Sequence, residues 1–154
     1  MATTPLELLD LSFGYPSAPA ALFDDVSMRI APGWTAVVGP NGAGKTTLLQ
    51  LITGVLEPTS GRVRTPGDAI LCPQRTDEPP DGFDELCASE ERRLYKLRGR
   101  LGVEIDWASR WSSLSHGERK RAQIAVALWR EPAVLVVDEP TNHLDAESVQ
   151  WLEQ

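Results

Sequence analysis

The 154-residue chain carries a formal net charge of −7, with 42% hydrophobic and 24% charged residues. This composition is typical of a soluble globular protein of about one domain, and the acidic balance argues against nucleic-acid binding through the whole surface. The sequence has no apolar run long enough to cross a bilayer and no signal peptide at its start, so we expect a cytosolic protein. Its two cysteines, Cys72 and Cys87, are too few for a zinc site of their own and are expected to be reduced thiols.

The first half of the chain alternates short apolar runs with glycine-rich turns. Residues 6–13 and 26–30 alternate apolar and polar positions, which predicts half-buried antiparallel strands. A helix is predicted at 45–53, with Gly54 as the signal that ends it. The other strands expected here are 35–38, 61–64 and 69–72.

The second half is mainly helical. Residues 76–84 are rich in proline and acidic residues, which indicates an exposed loop, and a charged helix is predicted from 85 to about 101. We interpret its basic residues as a solvated helix face. These residues are Arg92, Arg93, Lys96, Arg98 and Arg100.

A second helix is predicted from about Ser112 to Arg130, followed by a strand at 133–137 and a last helix at 146–154. The continuous apolar run of the strand is typical of a parallel sheet covered on both faces. One stripe of the helix has apolar residues at helical spacing and is expected to pack in the core. Its members are Ala122, Ala125, Val126 and Trp129.

The sequence GPNGAGKT at 39–46 fits the phosphate-loop pattern G-x-x-x-x-G-K-[ST]. Between a strand and a helix, such glycines let backbone N–H groups surround phosphate oxygens. Lys45 is expected to bridge the terminal phosphates, and the Thr46 hydroxyl to bind Mg²⁺; an ordinary strand-to-helix turn is the alternative. The residues predicted to contact nucleotide here are Gly39, Pro40, Asn41, Gly42, Ala43, Gly44, Lys45, Thr46 and Thr47.

An acidic pair follows the predicted buried strand in VLVVDEP, residues 134–140. Asp138 is expected to bind Mg²⁺ through a water molecule, and Glu139 to be the general base that activates a second water for hydrolysis. An acidic pair after a strand is also common in loops and helix caps. The phosphate loop in the same chain favours the catalytic interpretation.

The stretch LSHGERKR, residues 114–121, predicts a helix start with a capping box between Ser115 and Glu118. Three cations follow in the first turn, where the helix dipole disfavours positive charge. We therefore expect an anion close to this turn. The three cations are Arg119, Lys120 and Arg121.

The order of these motifs resembles the ATP-binding cassette superfamily over nearly the whole chain: phosphate loop, Gln74 in CPQ, LSHGE, then VLVVDEP running into TNHLD. The resemblance implies an α/β cassette with a mostly parallel core sheet, an antiparallel β subdomain and a helical subdomain at about 76–130. The sequence DEPTNHLDAESVQWLE is most similar to the ABC-F branch, whose members are soluble and act on ribosomes.

The resemblance also implies roles for single residues. Tyr15 would stack on adenine, with turn or core packing as the alternative, and Gln74 would sense Mg²⁺ and the attacking water. Ser115 and Gly117 would contact the γ-phosphate of ATP held by a second cassette, which is then the anion expected near LSHGERKR. Asp145 matches the D-loop aspartate and can also cap the final helix.

The sequence departs from the family pattern at several positions. His116 stands where the signature usually has glycine, and its Cβ is expected to restrict the approach of the backbone to phosphate. Glu118 replaces a glutamine. His143 belongs to TNHLD, and the family's switch histidine would fall beyond Gln154, so we expect an incomplete cassette. The stretch between Gln74 and Leu114 has room for a small helical subdomain and little room for the arm found in some ABC-F proteins.

The resulting prediction is Mg²⁺-dependent ATP binding and hydrolysis by a head-to-tail dimer of cassettes in the cytoplasm, with the ribosome as the target of an ABC-F protein. Two alternatives remain open. The chain could be the motor subunit of a membrane transporter, peripheral to the inner face of the membrane through a partner subunit and not inserted itself. It could also be a fragment that binds nucleotide without hydrolysing it.

Overall fold

The computed structural model describes residues 4–139, and the chain divides into two compact units, 1–71 and 72–154. The elements of residues 4–71 are β1 (Leu6–Phe13), β2 (Phe23–Ile30), α1 (Lys45–Ile52), β3 (Ser60–Arg64) and β4 (Ala69–Cys72), whose last residue opens the second unit. The helices and strand that follow are α2 (Phe83–Ala88), α3 (Arg92–Leu101), a 3-10 helix (Ala108–Ser113), α4 (His116–Trp129) and β5 (Val134–Val137).

The first unit is built on a three-stranded antiparallel sheet in the order β2-β1-β3. Alternate side chains of the central strand are buried, as the period-two pattern predicts. The antiparallel β subdomain implied by the sequence is therefore confirmed. The buried side chains of β1 are Leu6, Leu8, Leu11 and Phe13.

An irregularity in β1 keeps this buried face continuous: the register to β2 shifts between Leu8 and Leu11, and the register to β3 between Leu9 and Ser12. Asp10 has a left-handed backbone with φ 50° and is held by a hydrogen bond from its N–H to Ser27 Oγ, 2.9 Å. Gly61 of β3 passes so close that a Cβ there would lie 2.2 Å from the Asp10 carbonyl oxygen. Only glycine allows the two strands to pair at this point.

The prediction of a strand at residues 35–38 is wrong. Residues 34–40 have no regular secondary structure, and neither sheet of the described residues includes them. Val38 is 87% exposed and Trp34 62% exposed. A parallel strand is stabilised by hydrogen bonds and packing on both sides, and the apolar run alone does not supply these partners.

The charged helix predicted at 85–101 is two helices, α2 and α3, because Ser89 and Glu91 have extended backbone with ψ 132° and 129°. The interpretation of its basic residues as a solvated face is wrong at Arg98. This side chain is 7% exposed, and its Nη1 donates to the carbonyl oxygens of Leu86 and Cys87 in the last turn of α2. A cation at the negative end of a helix dipole is favourable, so Arg98 joins the two helices.

Helix α4 confirms the second predicted helix. Residues 122–127 are all buried, so its core contact is wider than the predicted stripe, while Trp129 is half-buried. The strand predicted at 133–137 is present as β5. Among the described residues, no helix is long and apolar enough to cross a membrane.

Candidate functional site

The predicted phosphate loop leads directly into α1, which begins at Lys45. Two of its glycines have a left-handed backbone, Gly42 with φ 82° and Gly44 with φ 88°. A Cβ at Gly44 would also lie only 3.0 Å from the Leu22 side chain, so both conformation and space require glycine. Gly44 caps α1 without a side-chain hydrogen bond. The N–H groups of a helix start capped in this way are directed toward the loop, where they suit an anion.

The Lys45 ammonium lies inside this loop. Its Nζ donates hydrogen bonds to the carbonyl oxygens of Gly39, at 2.9 Å, and Pro40, at 3.0 Å. A bound phosphate would compete with these neutral carbonyls and would form the stronger, charge-assisted hydrogen bond. Lys45 is therefore positioned to exchange loop carbonyls for phosphate oxygens.

Tyr15 follows β1 and lies beside α1. Its hydroxyl is hydrogen-bonded to the Thr47 hydroxyl at 2.9 Å, and its ring packs edge-on against Phe13 with 5.0 Å between the ring centroids. The side chain is still 42% exposed, so the ring can pack against Phe13 on one side and leave a surface on which an adenine base could stack. The ring is fixed at one side of the phosphate-loop helix.

In the second unit, the structure brings Gln74 and Glu139 together, although 65 residues separate them: Gln74 Nε2 donates to Glu139 Oε2 at 2.6 Å. Asp138 is 4% exposed, and its backbone N–H donates to the Cys72 carbonyl oxygen at 3.0 Å. Glu139 has a left-handed backbone with φ 50°, a strained conformation that clusters at functional sites. The two residues predicted to handle the attacking water are thus in contact.

The predicted capping box of α4 is confirmed. Glu118 N–H donates to Ser115 Oγ at 3.3 Å, and Glu118 Oε2 accepts from the Ser115 N–H at 2.7 Å and from its hydroxyl at 2.8 Å. The two hydrogen bonds that the Glu118 carboxylate accepts from Ser115, first that from the backbone N–H and then that from the hydroxyl, lower the pKa of Glu118. His116 begins the helix in ordinary helical conformation, and its Nδ1 lies 3.3 Å from Thr76 Oγ1. The expectation that His116 restricts a bound phosphate stays a prediction.

Helix α4 begins at His116, so Arg119 ends its first turn, and Lys120 and Arg121 belong to its second turn. The two arginines are directed at carbonyl groups or aromatic rings. Arg119 donates from Nε to the Trp111 carbonyl at 3.2 Å and from Nη2 to that of Ser112 at 3.0 Å, and its guanidinium lies 5.8 Å from the Trp111 ring centroid. The Arg121 guanidinium lies 5.4 Å from the ring centroid of Trp107. Both cations therefore have local stabilising contacts.

Lys120, the third cation, is fully buried and donates from Nζ to the carbonyl oxygens of Cys72, at 3.3 Å, and Pro73. Burial lowers its pKa, while the charges of Asp138 and Glu139 act in the opposite direction. Backbone carbonyls and aromatic rings thus stabilise these cations locally, so their charge does not require an external anion. The expected contact of this helix start with a γ-phosphate stays a prediction.

No group of three or more His, Cys, Asp or Glu side chains that could hold a metal occurs within residues 4–139. Each of the predicted Mg²⁺ ligands carries an oxygen donor: the Thr46 hydroxyl, the Gln74 amide oxygen and the Asp138 carboxylate. Mg²⁺ prefers such hard oxygen donors, so the chemistry of each residue suits the ion. Asp145 and His143 lie outside the described residues.

Sequence reasoning missed the functional interest of two buried polar residues of α4, Lys120 and Gln123. Gln123 is 8% exposed, and its Nε2 donates to the Arg75 carbonyl oxygen at 2.8 Å. The available signal was a polar pair at i, i+3 spacing next to the apolar stripe, which places both side chains on one helix face.

Comparisons with known proteins agree on one family. A family model described as ABC transporter matches residues 23–142. The energy-dependent translational throttle protein EttA of Mycobacterium tuberculosis (strain H37Rv) is 33% identical over 187 residues, covering 86% of this chain and 32% of EttA. The mycobactin import ATP-binding/permease protein IrtB of the same strain is 35% identical over 173 residues, covering 93% of this chain and 30% of IrtB.

The zinc import ATP-binding protein ZnuC of Psychrobacter arcticus is 36% identical over 162 residues, covering 96% of this chain and 66% of ZnuC. The chain thus spans about a third of EttA and IrtB and two thirds of ZnuC.

Solved structures show the same fold. An ATP-binding subunit of an ABC transporter superposes with a TM-score of 0.75 at 26% identity, covering 97% of this chain and 72% of that chain. A dimeric post-hydrolysis state of the ATP-binding cassette MJ0796, bound to ADP and Pi, superposes with a TM-score of 0.79 at 20% identity, covering 96% of this chain and 81% of that chain. The predicted fold class, an α/β cassette, is confirmed.

Proposed function

The chain belongs to the ABC transporter family, and on that premise we propose that it binds Mg·ATP and hydrolyses it when two cassettes associate head to tail. The observation that carries this proposal is the 2.6 Å hydrogen bond from Gln74 to Glu139 beside the buried Asp138. A carboxylate and an amide held together in this way can share one water molecule, as general base and as orienting group.

The reaction is the in-line attack of water on the γ-phosphorus of ATP, which breaks the bond to the β,γ-bridging oxygen and yields ADP and inorganic phosphate. Glu139 accepts the proton of the attacking water, Gln74 orients that water, and Lys45 neutralises charge on the terminal phosphates. Thr46 and Gln74 would hold Mg²⁺ directly and Asp138 through a water molecule, and the bound ion would supply positive charge for the terminal phosphates. The remaining nucleotide contacts are assigned to residues 39–47 and, at the adenine, to Tyr15.

The second half of the composite site is assigned to the start of α4. Ser115 and Gly117 would contact the γ-phosphate of ATP bound by the other cassette, and Asp145 would contribute across the same interface. The partner is a second cassette, identical or different. Residues 76–130, which contain α2 to α4, are assigned as the helical subdomain.

For the biological role we propose an ABC-F protein that acts on ribosomes. The TNHLD motif and the 33% identity to EttA, a protein named as a translational throttle, support this role. The 36% identity to ZnuC, named as a zinc import ATP-binding protein, favours a transporter motor subunit as the second candidate. The alignment with EttA is also longer than this chain, so EttA has internal residues that this chain lacks. Either role places the protein in the cytoplasm, where ATP is available, or at the inner face of the membrane.

Sedimentation distinguishes the two candidates. The Glu139→Gln variant, mixed with Mg·ATP, is centrifuged through a sucrose cushion with purified ribosomes and, in parallel, with inverted membrane vesicles. We expect it in the ribosome pellet. At an ATP concentration near the wild-type Kd, Lys45→Ala, whose affinity should be about 10- to 100-fold lower, should stay largely in the supernatant of both experiments. Recovery with vesicles alone would support the transporter role, and recovery in neither would contradict both.

Tyr15 provides a test of the adenine contact. Tyr15→Ala should weaken ATP binding by about 1–3 kcal/mol if the ring stacks on the base. Tyr15→Phe should keep the affinity but lower the free energy of unfolding by about 0.5–1.5 kcal/mol, because it loses the hydrogen bond to Thr47. Calorimetric titration and urea denaturation measure the two effects, with Tyr95→Ala, at a 70% exposed tyrosine, as the control. Wild-type affinity in Tyr15→Ala would leave packing as the only role of this ring.

A further inference from the structure

One face of α4 lies along the segment that carries Gln74, residues 72–76, which we call the glutamine segment. Its carbonyl oxygens on both sides of Gln74 accept hydrogen bonds from side chains of this helix. The donors and acceptors are Lys120 Nζ to Cys72 (3.3 Å) and Pro73, Gln123 Nε2 to Arg75 (2.8 Å), and Arg119 Nη1 to Thr76 (3.3 Å).

Burial makes two of these contacts strong restraints. Lys120 is 0% exposed and Gln123 8% exposed, so neither side chain can exchange its carbonyl partner for water without opening the core. A buried ammonium group without hydrogen-bond acceptors is very unfavourable. The carbonyl oxygens of Cys72 and Pro73 are therefore fixed where Lys120 requires them.

Lys120 also connects the glutamine segment to the acidic pair. The Cys72 carbonyl oxygen that accepts from Lys120 Nζ accepts the backbone N–H of Asp138 as well, at 3.0 Å. Two residues after Cys72, Gln74 donates its side-chain amide to Glu139. A shift of the Lys120 ammonium would thus be transmitted to both ends of the Gln74 to Glu139 contact.

We propose that Lys120, assisted by Gln123, is a positioning residue that sets the Gln74 side chain against the Glu139 carboxylate. Neither side chain touches the reacting atoms. They act by holding the backbone on both sides of Gln74, so the start of α4, whose Ser115 caps the helix, and the hydrolytic residues form one hydrogen-bonded unit. The catalytic consequence of this arrangement rests on the proposed function.

The structural half of the inference is tested in the free protein by NMR. Lys120→Met keeps the volume of the side chain but removes every donor, and the side-chain amide signals of Gln74 are assigned by their absence in Gln74→Glu. In Lys120→Met we expect these signals to move to the position they take in Glu139→Ala, where the acceptor is missing. Arg121→Met, the same change one residue later on a side chain directed at Trp107, should leave them at the wild-type position. Unchanged Gln74 signals in a folded Lys120→Met would overturn the proposal.

Gln123→Met is the second variant, and it decides the question if Lys120→Met does not fold. Movement of the Gln74 side-chain signals away from their wild-type position supports the proposal, and unchanged signals overturn it.

In ATP turnover, Lys120→Met should lower kcat by about 10- to 100-fold, because misplacement of catalytic groups has effects of this size, while the Kd for ATP stays at the wild-type value. An equal loss in kcat and affinity would indicate general destabilisation and contradict positioning. If the wild-type chain shows no turnover, the proposal that this chain hydrolyses ATP fails. The NMR comparison in the free protein then still decides whether Lys120 positions Gln74.

Discussion

The Glu139→Gln variant is expected to hydrolyse Mg·ATP about 10²- to 10⁴-fold more slowly than the wild type, the usual contribution of a general base. The amide keeps the shape of the side chain and can still accept the hydrogen bond of Gln74, but it cannot take a proton from water. Because Glu139 contacts the water and not the nucleotide in the proposed mechanism, the affinity for ATP should be retained. Phosphate release and calorimetric titration measure the two quantities.

Glu78→Gln is the matched control, because Glu78 lies in the exposed loop after the glutamine segment and has no assigned role. Its turnover should equal that of the wild type. Equal turnover of wild type and Glu139→Gln would eliminate Glu139 as the base. If neither shows turnover above the level of a buffer blank, the chain is a nucleotide-binding fragment that does not hydrolyse ATP.

Lys45→Ala is expected to weaken ATP binding by about 10- to 100-fold, since a hydrogen bond to a charged group contributes about 1.5–3 kcal/mol. The variant removes the only side-chain cation that the phosphate loop contains. Fold stability should change little, because the Lys45 contacts to Gly39 and Pro40 are exposed. Calorimetric titration with Mg·ATP measures the affinity, and urea denaturation the stability.

Lys96→Ala, at an exposed position of α3, removes the same charge away from the phosphate loop and should bind ATP with wild-type affinity. Equal ATP affinity of Lys45→Ala and Lys96→Ala would show that the loop does not bind phosphate through its lysine. The phosphate-loop assignment would then have to be abandoned.

The parts of this site that sequence reasoning predicted correctly are those whose chemistry is contiguous along the chain. The capping box of Ser115 and Glu118 needs only three residues of spacing and is present as expected. The left-handed backbone of Gly42 and Gly44 agrees with their places in the phosphate-loop pattern. Local covalent geometry determines such features, so a pattern of residues is sufficient to find them.

Some features that depend on distant partners were predicted incorrectly. Arg98, Arg119 and Lys120 were judged by charge and neighbouring residues, and their partners are carbonyl oxygens of other segments. The same limit applies to residues 35–38, whose apolar composition suits a strand but does not supply one beside it. Tertiary packing decides which carbonyl oxygen a buried cation contacts, and the local sequence does not determine that packing.

The central claim, that the loop at 39–46 binds the phosphates of Mg·ATP, is tested most directly by titrating the wild-type chain with ATP, ADP and AMP in the presence of Mg²⁺. A site that recognises the β- and γ-phosphates should bind AMP at least about 10-fold more weakly than ATP, since AMP lacks those charged acceptors. Equal affinity for AMP and ATP, or no binding of ATP, would contradict the account.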